Sequence, residues 1–219
     1  MALITTTIVP TILAADKNQF AAFVTAYQGF AKRVQIDITD GQLAPTLTLP
    51  ETEAVVPEGW QADYHMMVAR PSEHMQNILA LKPHLCVFHA ECGEDLLPLF
   101  TQLKGAGIKA GVALMKQTFP ATFRGAIEAA DHVLIFAGEL GRQGGQADLL
   151  QTEKVDLIKA INPNAEIGWD GGANMKNVRA LAHSGIDVIN VGSAIASAPN
   201  PAEMYQNLQA DLDKKGVVL

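Results

Sequence analysis

Short apolar segments alternate with longer segments of helical periodicity along the chain, and this alternation restricts its fold more than any other feature. Eight of the short segments carry apolar, often β-branched residues at consecutive positions, as strands buried on both faces do. These strand candidates span residues 6–13, 33–38, 62–68, 85–89, 109–114, 132–137, 166–169 and 188–191. The pattern predicts an α/β protein built on a parallel sheet.

The intervening segments show the spacing of amphipathic helices. Apolar residues recur on one helical face in three of them, at Leu96, Leu99, Phe100 and Leu103, at Val155, Ile158 and Ile161, and at Met175, Val178, Leu181 and Ala182. Asp16 is placed to cap a helix after the first strand. Residues 41–59 are too rich in Pro and Thr for a full helix, so we expect a loop there.

Eight strand and helix units predict a single (β/α)8 TIM barrel domain over residues 1–219. A doubly wound open sheet is the alternative that fits the same alternation. No low-complexity segment or charge block divides the chain.

Charge and hydropathy narrow the classes of partner. The chain has 16 Lys and Arg against 23 Asp and Glu, a net charge of −7, which argues against nucleic acid or an anionic membrane as partner. No apolar run approaches the roughly 20 residues of a membrane span, and the first residues lack the pattern of a signal peptide. Cys86 and Cys92 do not make a disulfide framework. We therefore expect a cytoplasmic protein.

Titratable residues cluster at the predicted strand ends, where barrels carry their chemistry. Gln35 and Asp37 share one side of their strand, which in a barrel faces the lumen. A buried carboxylate is costly unless it is paired or bound to metal, although Asp37 also fits a structural aspartate. A lone histidine in a strand is usually a core residue, but His65 together with Asp37 and Asp170 indicates a functional site. His89 is a further candidate for the same pocket.

Glycine-rich motifs follow the last strands. Gly171 and Gly172 follow the seventh strand, and Gly192 and Ser193 follow the eighth. Backbone N–H groups at such positions bind phosphate, although either motif alone is also ordinary turn chemistry. The loop 138–147 adds Gly144 and Gly145 and is a candidate lid over a ligand.

These motifs together resemble the ribulose-phosphate 3-epimerase family of phosphate-binding barrels. The similarity covers residues 10–16 (Pro-Thr-Ile-Leu-Ala-Ala-Asp), 35–48 (Gln-Ile-Asp-Ile-Thr-Asp-Gly-Gln-Leu-Ala-Pro-Thr-Leu-Thr), 65–68 (His-Met-Met-Val), 88–91 (Phe-His-Ala-Glu), 144–146, 170–172 and 192–195. Motifs in this order extend the resemblance over nearly the whole chain.

The resemblance implies an isomerase of the pentose phosphate pathway that inverts C3 of a ketose phosphate, D-ribulose 5-phosphate to D-xylulose 5-phosphate. It makes Asp37 and Asp170 the acid and base of proton transfer through an enediolate. It places a divalent cation (Zn, Fe, Mn or Co) on two histidines and these two aspartates. It also implies a homo-oligomer. The residues it assigns to substrate and phosphate are Thr11, His65, Gly144, Gly145, Gly171, Gly172, Gly192 and Ser193.

The chain departs from the family pattern around the substrate. Gln35 stands where the family has its other metal-binding histidine, and a neutral amide is a poor match for zinc or iron, so the metal is expected to be weakened or lost. Ala14 and Thr39 replace a serine and a methionine. The tip of the loop 138–146 is rewritten, and its Arg142 could reach a phosphate or a carboxylate.

Three functions remain open from the sequence. The first is epimerisation of a pentulose or hexulose phosphate. The second is a different sugar-phosphate reaction in a divergent barrel. The related decarboxylases and hexulose-phosphate synthases have a lysine where this chain has Thr39, which argues against those two reactions. The third is sugar-phosphate binding without catalysis, which would tolerate Gln35.

Overall fold

The computed structural model describes residues 6–212 and 214, and its strands form one closed parallel barrel in chain order. The strands are β1 (Thr7–Ile12), β2 (Arg33–Thr39), β3 (Gln61–Met67), β4 (Leu85–His89), β5 (Lys109–Leu114), β6 (His132–Phe136), β7 (Glu166–Asp170) and β8 (Val188–Val191). Parallel pairing of β1 with β8, with Thr7 beside Val188, closes the ring. The (β/α)8 barrel is confirmed, and the closing pair excludes the open sheet.

Helices connect the strands outside the barrel. They are α1 (Lys17–Tyr27), α2 (Met75–Leu81), α3 (Leu97–Gly105), α4 (Arg124–Ala129), α5 (Lys154–Ile161), α6 (Val178–His183), α7 (Ser193–Ala196) and α8 (Pro201–Leu212). Asp16 caps α1 by accepting from the backbone N–H groups of Asn18 and Gln19. The stripe predicted from Met175 is wrong at its start, because Asn174 Oδ1 accepts from Lys176 N in a turn before α6.

The connection from β2 to β3 contains no helix, and the structure describes every residue of it. Asp40 organises its first turn, since one carboxylate oxygen accepts from Gln42 N and Leu43 N and the other from Ala69 N. The loop expected for residues 41–59 is therefore confirmed.

The barrel has two apolar layers. The larger core lies between the strands and the helices, and a small cluster of Leu85, Val87, Ala113 and Leu134 fills the lumen. Gly168 makes room inside, because a Cβ there would lie 2.3 Å from Nε2 of His132. The lumen is packed below its upper end, as in other barrels of this type.

An ion network closes the amino-terminal end of the barrel. Arg33 donates to both carboxylate oxygens of Glu166 at 3.1 and 2.9 Å, and its Nε donates to Asp63 at 2.6 Å. His132 Nδ1 lies 2.8 Å from Glu166. His132 is the buried first residue of β6, as the strand candidate 132–137 predicts. Polar groups left for chemistry lie at the opposite end.

No helix in the described part of the chain is long and apolar enough to cross a membrane. The expectation about a signal peptide rests on residues 1–5, which lie outside the described residues. Cys86 and Cys92 are both free and buried.

Candidate active site

The carboxyl ends of three strands bring the predicted polar residues together. The register of β2 and β3 pairs Asp37 with His65, and alternation along β2 puts Gln35 on the same side. Asp170 is the last residue of β7, three strands away from β2 around the ring. These four side chains meet at the upper end of the lumen, where barrel enzymes place their catalytic groups.

Two carboxylates, one imidazole and one amide form the cluster. His65 Nδ1 lies 3.1 Å from Asp37 Oδ1 and 3.4 Å from Asp170 Oδ2. Gln35 Nε2 donates to the same two oxygens, at 2.9 Å and 2.6 Å. Two nitrogen groups therefore bridge the carboxylates, which offsets the repulsion between two negative charges held close together.

Burial and neighbouring charge shift the acid–base properties of the cluster. Burial raises the pKa of Asp37 to about 6, although the hydrogen bond with His65 opposes the rise. Burial by itself lowers the pKa of His65, but the contacts with Asp170 and Asp37 outweigh it and raise that pKa to about 9. The two carboxylates therefore favour the protonated form of His65.

His89 supports His65 from behind. The Nε2 atoms of the two rings lie 2.8 Å apart, so one ring must donate to the other. Burial lowers the pKa of His89 to about 4, which makes it the neutral acceptor. Its Nδ1 faces Glu91 at 3.3 Å, and Glu91 in turn accepts from Met115 N and Thr118. This chain of contacts fixes the orientation of the His65 ring.

The cluster has the donor set of a divalent cation site. One ligand atom each from Asp37, His65 and Asp170 lie within 4.8 Å of one another. Two carboxylates and one imidazole suit Mn, Fe, Co or Zn, and three protein ligands with an open position are typical of catalytic sites. The side chains of Asp37, His65 and Asp170 therefore fit such an ion. Gln35 could add only a neutral carbonyl oxygen, after its amide turned over, and would be a weak fourth ligand.

The glycine motifs form the rim above the cluster. Gly171 and Gly172 have φ angles of +127° and +66°, which residues other than glycine rarely adopt. A Cβ on Gly171 would lie 2.3 Å from the backbone nitrogen of Gly138, so the loops after β6 and β7 are in close contact. Gly144 and Gly145 also have positive φ angles. Backbone arranged in this way presents N–H groups to an anion.

A single cavity joins the rim to the cluster. Its wall includes Asp37, Asp170, Thr11, Arg142, Gly144, Gly171, Gly172, Gly192 and Ser193 from the sequence-based set. Gly145 is not part of the wall, and His65 and His89 are fully buried beneath it. Arg142 stands at the exposed mouth, with Nη1 3.4 Å from a Glu139 carboxylate oxygen.

The same cavity contains two polar side chains to which the sequence reasoning assigned no role. Gln143 Nε2 donates to Thr11 Oγ1 at 3.3 Å, across the opening between the β6 loop and β1. Asn190 lies on β8 and is 3% exposed. The sequence does mark Asn190, because it is the one amide in the otherwise apolar strand Val188–Val191. Gln143 lies in a polar loop, where a glutamine is ordinary and indicates no function.

Comparisons with known proteins identify the family of the chain. The model of the ribulose-phosphate 3-epimerase family matches residues 7–196. Ribulose-phosphate 3-epimerase of Helicobacter pylori is 30% identical over 92% of this chain and 96% of its own, and that of Schizosaccharomyces pombe is 26% identical over 94% of both. The solved 3-hexulose-6-phosphate synthase of Salmonella typhimurium has the same fold, with a TM-score of 0.66 at 17% identity over 94% and 97% of the two chains. The chain belongs to the ribulose-phosphate 3-epimerase family, whose named members are enzymes that act on carbohydrates.

Proposed function

We propose that the protein inverts C3 of a ketose phosphate, interconverting D-ribulose 5-phosphate and D-xylulose 5-phosphate. One observation carries the proposal: carboxylates from β2 and β7 lie together on the floor of a cavity whose rim is made of glycine-rich loops. Such a cavity suits a small molecule with a phosphate at one end and a reacting carbon at the other.

Inversion at a carbon next to a carbonyl needs a base on one face and an acid on the other. Asp37 and Asp170 approach from different strands, so a substrate carbon placed between them meets one carboxyl group on each side. The ionised carboxylate takes the C3 proton, and the other carboxyl group, which enters the reaction protonated, gives its proton to the opposite face, so the two groups exchange protonation states. His65 and Gln35 then hold whichever carboxylate carries the negative charge.

Charge stabilisation and phosphate binding complete the proposed mechanism. A divalent cation held by Asp37, His65 and Asp170 would supply positive charge for the enediolate oxygens. The backbone at Gly171, Gly172 and the start of α7 binds the phosphate group, and this fixes the distance between the phosphate and C3.

Proton exchange at C3 tests the proposal. In D2O, with Mn, Fe, Co or Zn supplied, NMR should show deuterium incorporation into D-ribulose 5-phosphate and formation of D-xylulose 5-phosphate. Asp37→Asn and Asp170→Asn should each lower the rate by about a hundredfold or more. The matched control is Asp156→Asn, an exposed residue of α5, which should keep the native rate.

Other outcomes separate the alternatives. If the protein binds ketose phosphates without proton exchange, and Asp37→Asn leaves the affinity unchanged, epimerisation is contradicted. That result would support a sugar-phosphate binding protein, the function that would tolerate Gln35. Exchange only with hexulose phosphates would change the substrate and keep the mechanism. The homo-oligomer and the cytoplasmic location stay predictions, and light scattering of the purified chain measures the first.

A further inference from the structure

Asn190 is an amide buried in the wall of the cavity. It is 3% exposed, and its Oδ1 atom has no hydrogen-bond partner within the part of the chain that the structure describes. Its neighbours on β8 are apolar and buried. Leaving such a group unpaired in the folded state costs free energy, so an unpaired amide on a cavity wall indicates a group that a ligand completes.

The register fixes where this amide points. Asn190 pairs with Asp170 on β7 and with Val9 on β1. Paired residues of parallel strands face the same side, so Asn190 shares the lumen side with Asp170. It also lies two residues before Gly192, where the phosphate rim begins, and the same cavity wall includes all three residues. Asn190 therefore stands between the proposed reacting carbon and the proposed phosphate site.

We propose that Asn190 is a substrate-positioning residue that hydrogen-bonds the hydroxyl group on the carbon between the reacting carbon and the phosphate-bearing carbon. This inference rests on the proposed function, which makes that group the C4 hydroxyl of a pentulose phosphate. A side-chain amide can both accept from and donate to a hydroxyl group, so it satisfies Oδ1 when the substrate binds. The contact orients the carbon chain so that C3 faces the two carboxylates.

The discriminating experiment compares two ligands on two proteins. Affinities of D-ribulose 5-phosphate and of its 4-deoxy analogue are measured by thermal-shift titration on the native protein and on Asn190→Leu, which keeps the side-chain shape and removes the polar atoms. The native protein should prefer the hydroxylated ligand about tenfold, and Asn190→Leu should lose that preference. Inorganic phosphate should bind both proteins within twofold, since its site is the glycine rim.

Stability without ligand gives an independent readout. Because Asn190→Leu removes an unpaired buried group, the melting temperature of the ligand-free variant should rise by about 2–4 °C. The control Ile189→Val changes the adjacent position, which faces away from the lumen, and should lower the melting temperature while leaving the ligand preference intact.

The outcomes separate this inference from the proposed function. An equal preference for the hydroxylated ligand in native protein and Asn190→Leu overturns the role of Asn190, whatever the catalytic rate. Loss of the preference in a protein that exchanges no C3 proton supports Asn190 and overturns the epimerase. No binding of either sugar phosphate overturns both.

Discussion

Gln35 determines how the two carboxylates of the cluster are held together. Its single amide nitrogen donates to Asp37 and Asp170 at once, in addition to the imidazole of His65. An amide is neutral, so Gln35 stabilises the two carboxylates by hydrogen bonds but contributes no charge to the cluster. Family members with a histidine at this position would offer a ring nitrogen instead, which transition metals prefer.

Replacing Gln35 by His should therefore strengthen metal binding. We expect the affinity for Mn or Zn to rise on the order of tenfold to a hundredfold, the size of change that altered partners of a metal site typically bring. Metal content after purification without chelator, followed by competition titration, measures it. His65→Ala should lower the affinity in both backgrounds, and equal affinities of native protein and Gln35→His would show that the amide is not the weak ligand.

The glycine loops are the elements that connect the sheet to the rim of the cavity, where we propose that phosphate binds. Gly171 lies where the loop after β7 touches the backbone of Gly138 in the loop after β6. Gly172 is in similar contact, since a Cβ there would lie 2.3 Å from the backbone nitrogen of Ala147. Both loops keep their shape because neither glycine carries a side chain.

Gly171→Ala tests this packing. The new Cβ meets backbone atoms and the φ angle of +127° is unfavourable for alanine, so we expect a loss of about 1–3 kcal/mol in unfolding free energy. The affinity for inorganic phosphate should fall with it. Urea denaturation and phosphate titration measure the two effects. Gly125→Ala, at an exposed position of α4 with no atom within 4 Å of the added Cβ, should instead stabilise by about 0.5–1 kcal/mol.

At the scale of the whole molecule, the two ends of the barrel differ: an ion network lies at the amino-terminal end, and the candidate active site lies at the carboxyl-terminal end. The amino-terminal end is closed by Arg33, Asp63, His132 and Glu166. Burial raises the pKa of Glu166, but the hydrogen bonds of His132 and Arg33 outweigh it and hold that pKa far below its ordinary value of 4.5. Since the folded-state pKa is depressed, this stabilisation is present above about pH 4.5 and is lost as the pH falls through the acid range.

Glu166→Gln should thus lower stability at neutral pH and flatten the acid dependence. We expect a loss of about 1.5–3 kcal/mol at pH 7, the range for hydrogen bonds to charged groups. The difference from the native protein should shrink as the pH falls below 4.5, because Glu166 of the unfolded chain takes up a proton there while the folded-state carboxylate stays ionised to much lower pH. Urea denaturation at several pH values measures both effects. Glu128→Gln, in an exposed pair with Arg124, should change stability by less than about 1 kcal/mol, and an unchanged pH difference would contradict the role of Glu166.

Much of the fold follows from local patterns in the sequence. Consecutive apolar residues mark strands buried on both faces, and the eight predicted segments match the eight strands within one residue at each end. Asp16 and the loop 41–59 are also local, since a cap or a Pro-rich stretch acts within a few residues. Met175 was misplaced because a turn centred on Asn174 overrides the helical spacing.

The sequence by itself determined the barrel, the glycine motifs after its last strands and the candidate residues Asp37, His65 and Asp170, because strand periodicity and short motifs depend on neighbouring positions. Only the tertiary structure decided that Gln35 bridges both carboxylates and that His89 lies behind His65. It also decided that Asn190 lies beside Asp170, with an Oδ1 atom that has no partner among the residues the structure describes. These relations join strands far apart in the chain, and they depend on the register and closure of the barrel, which no local pattern encodes.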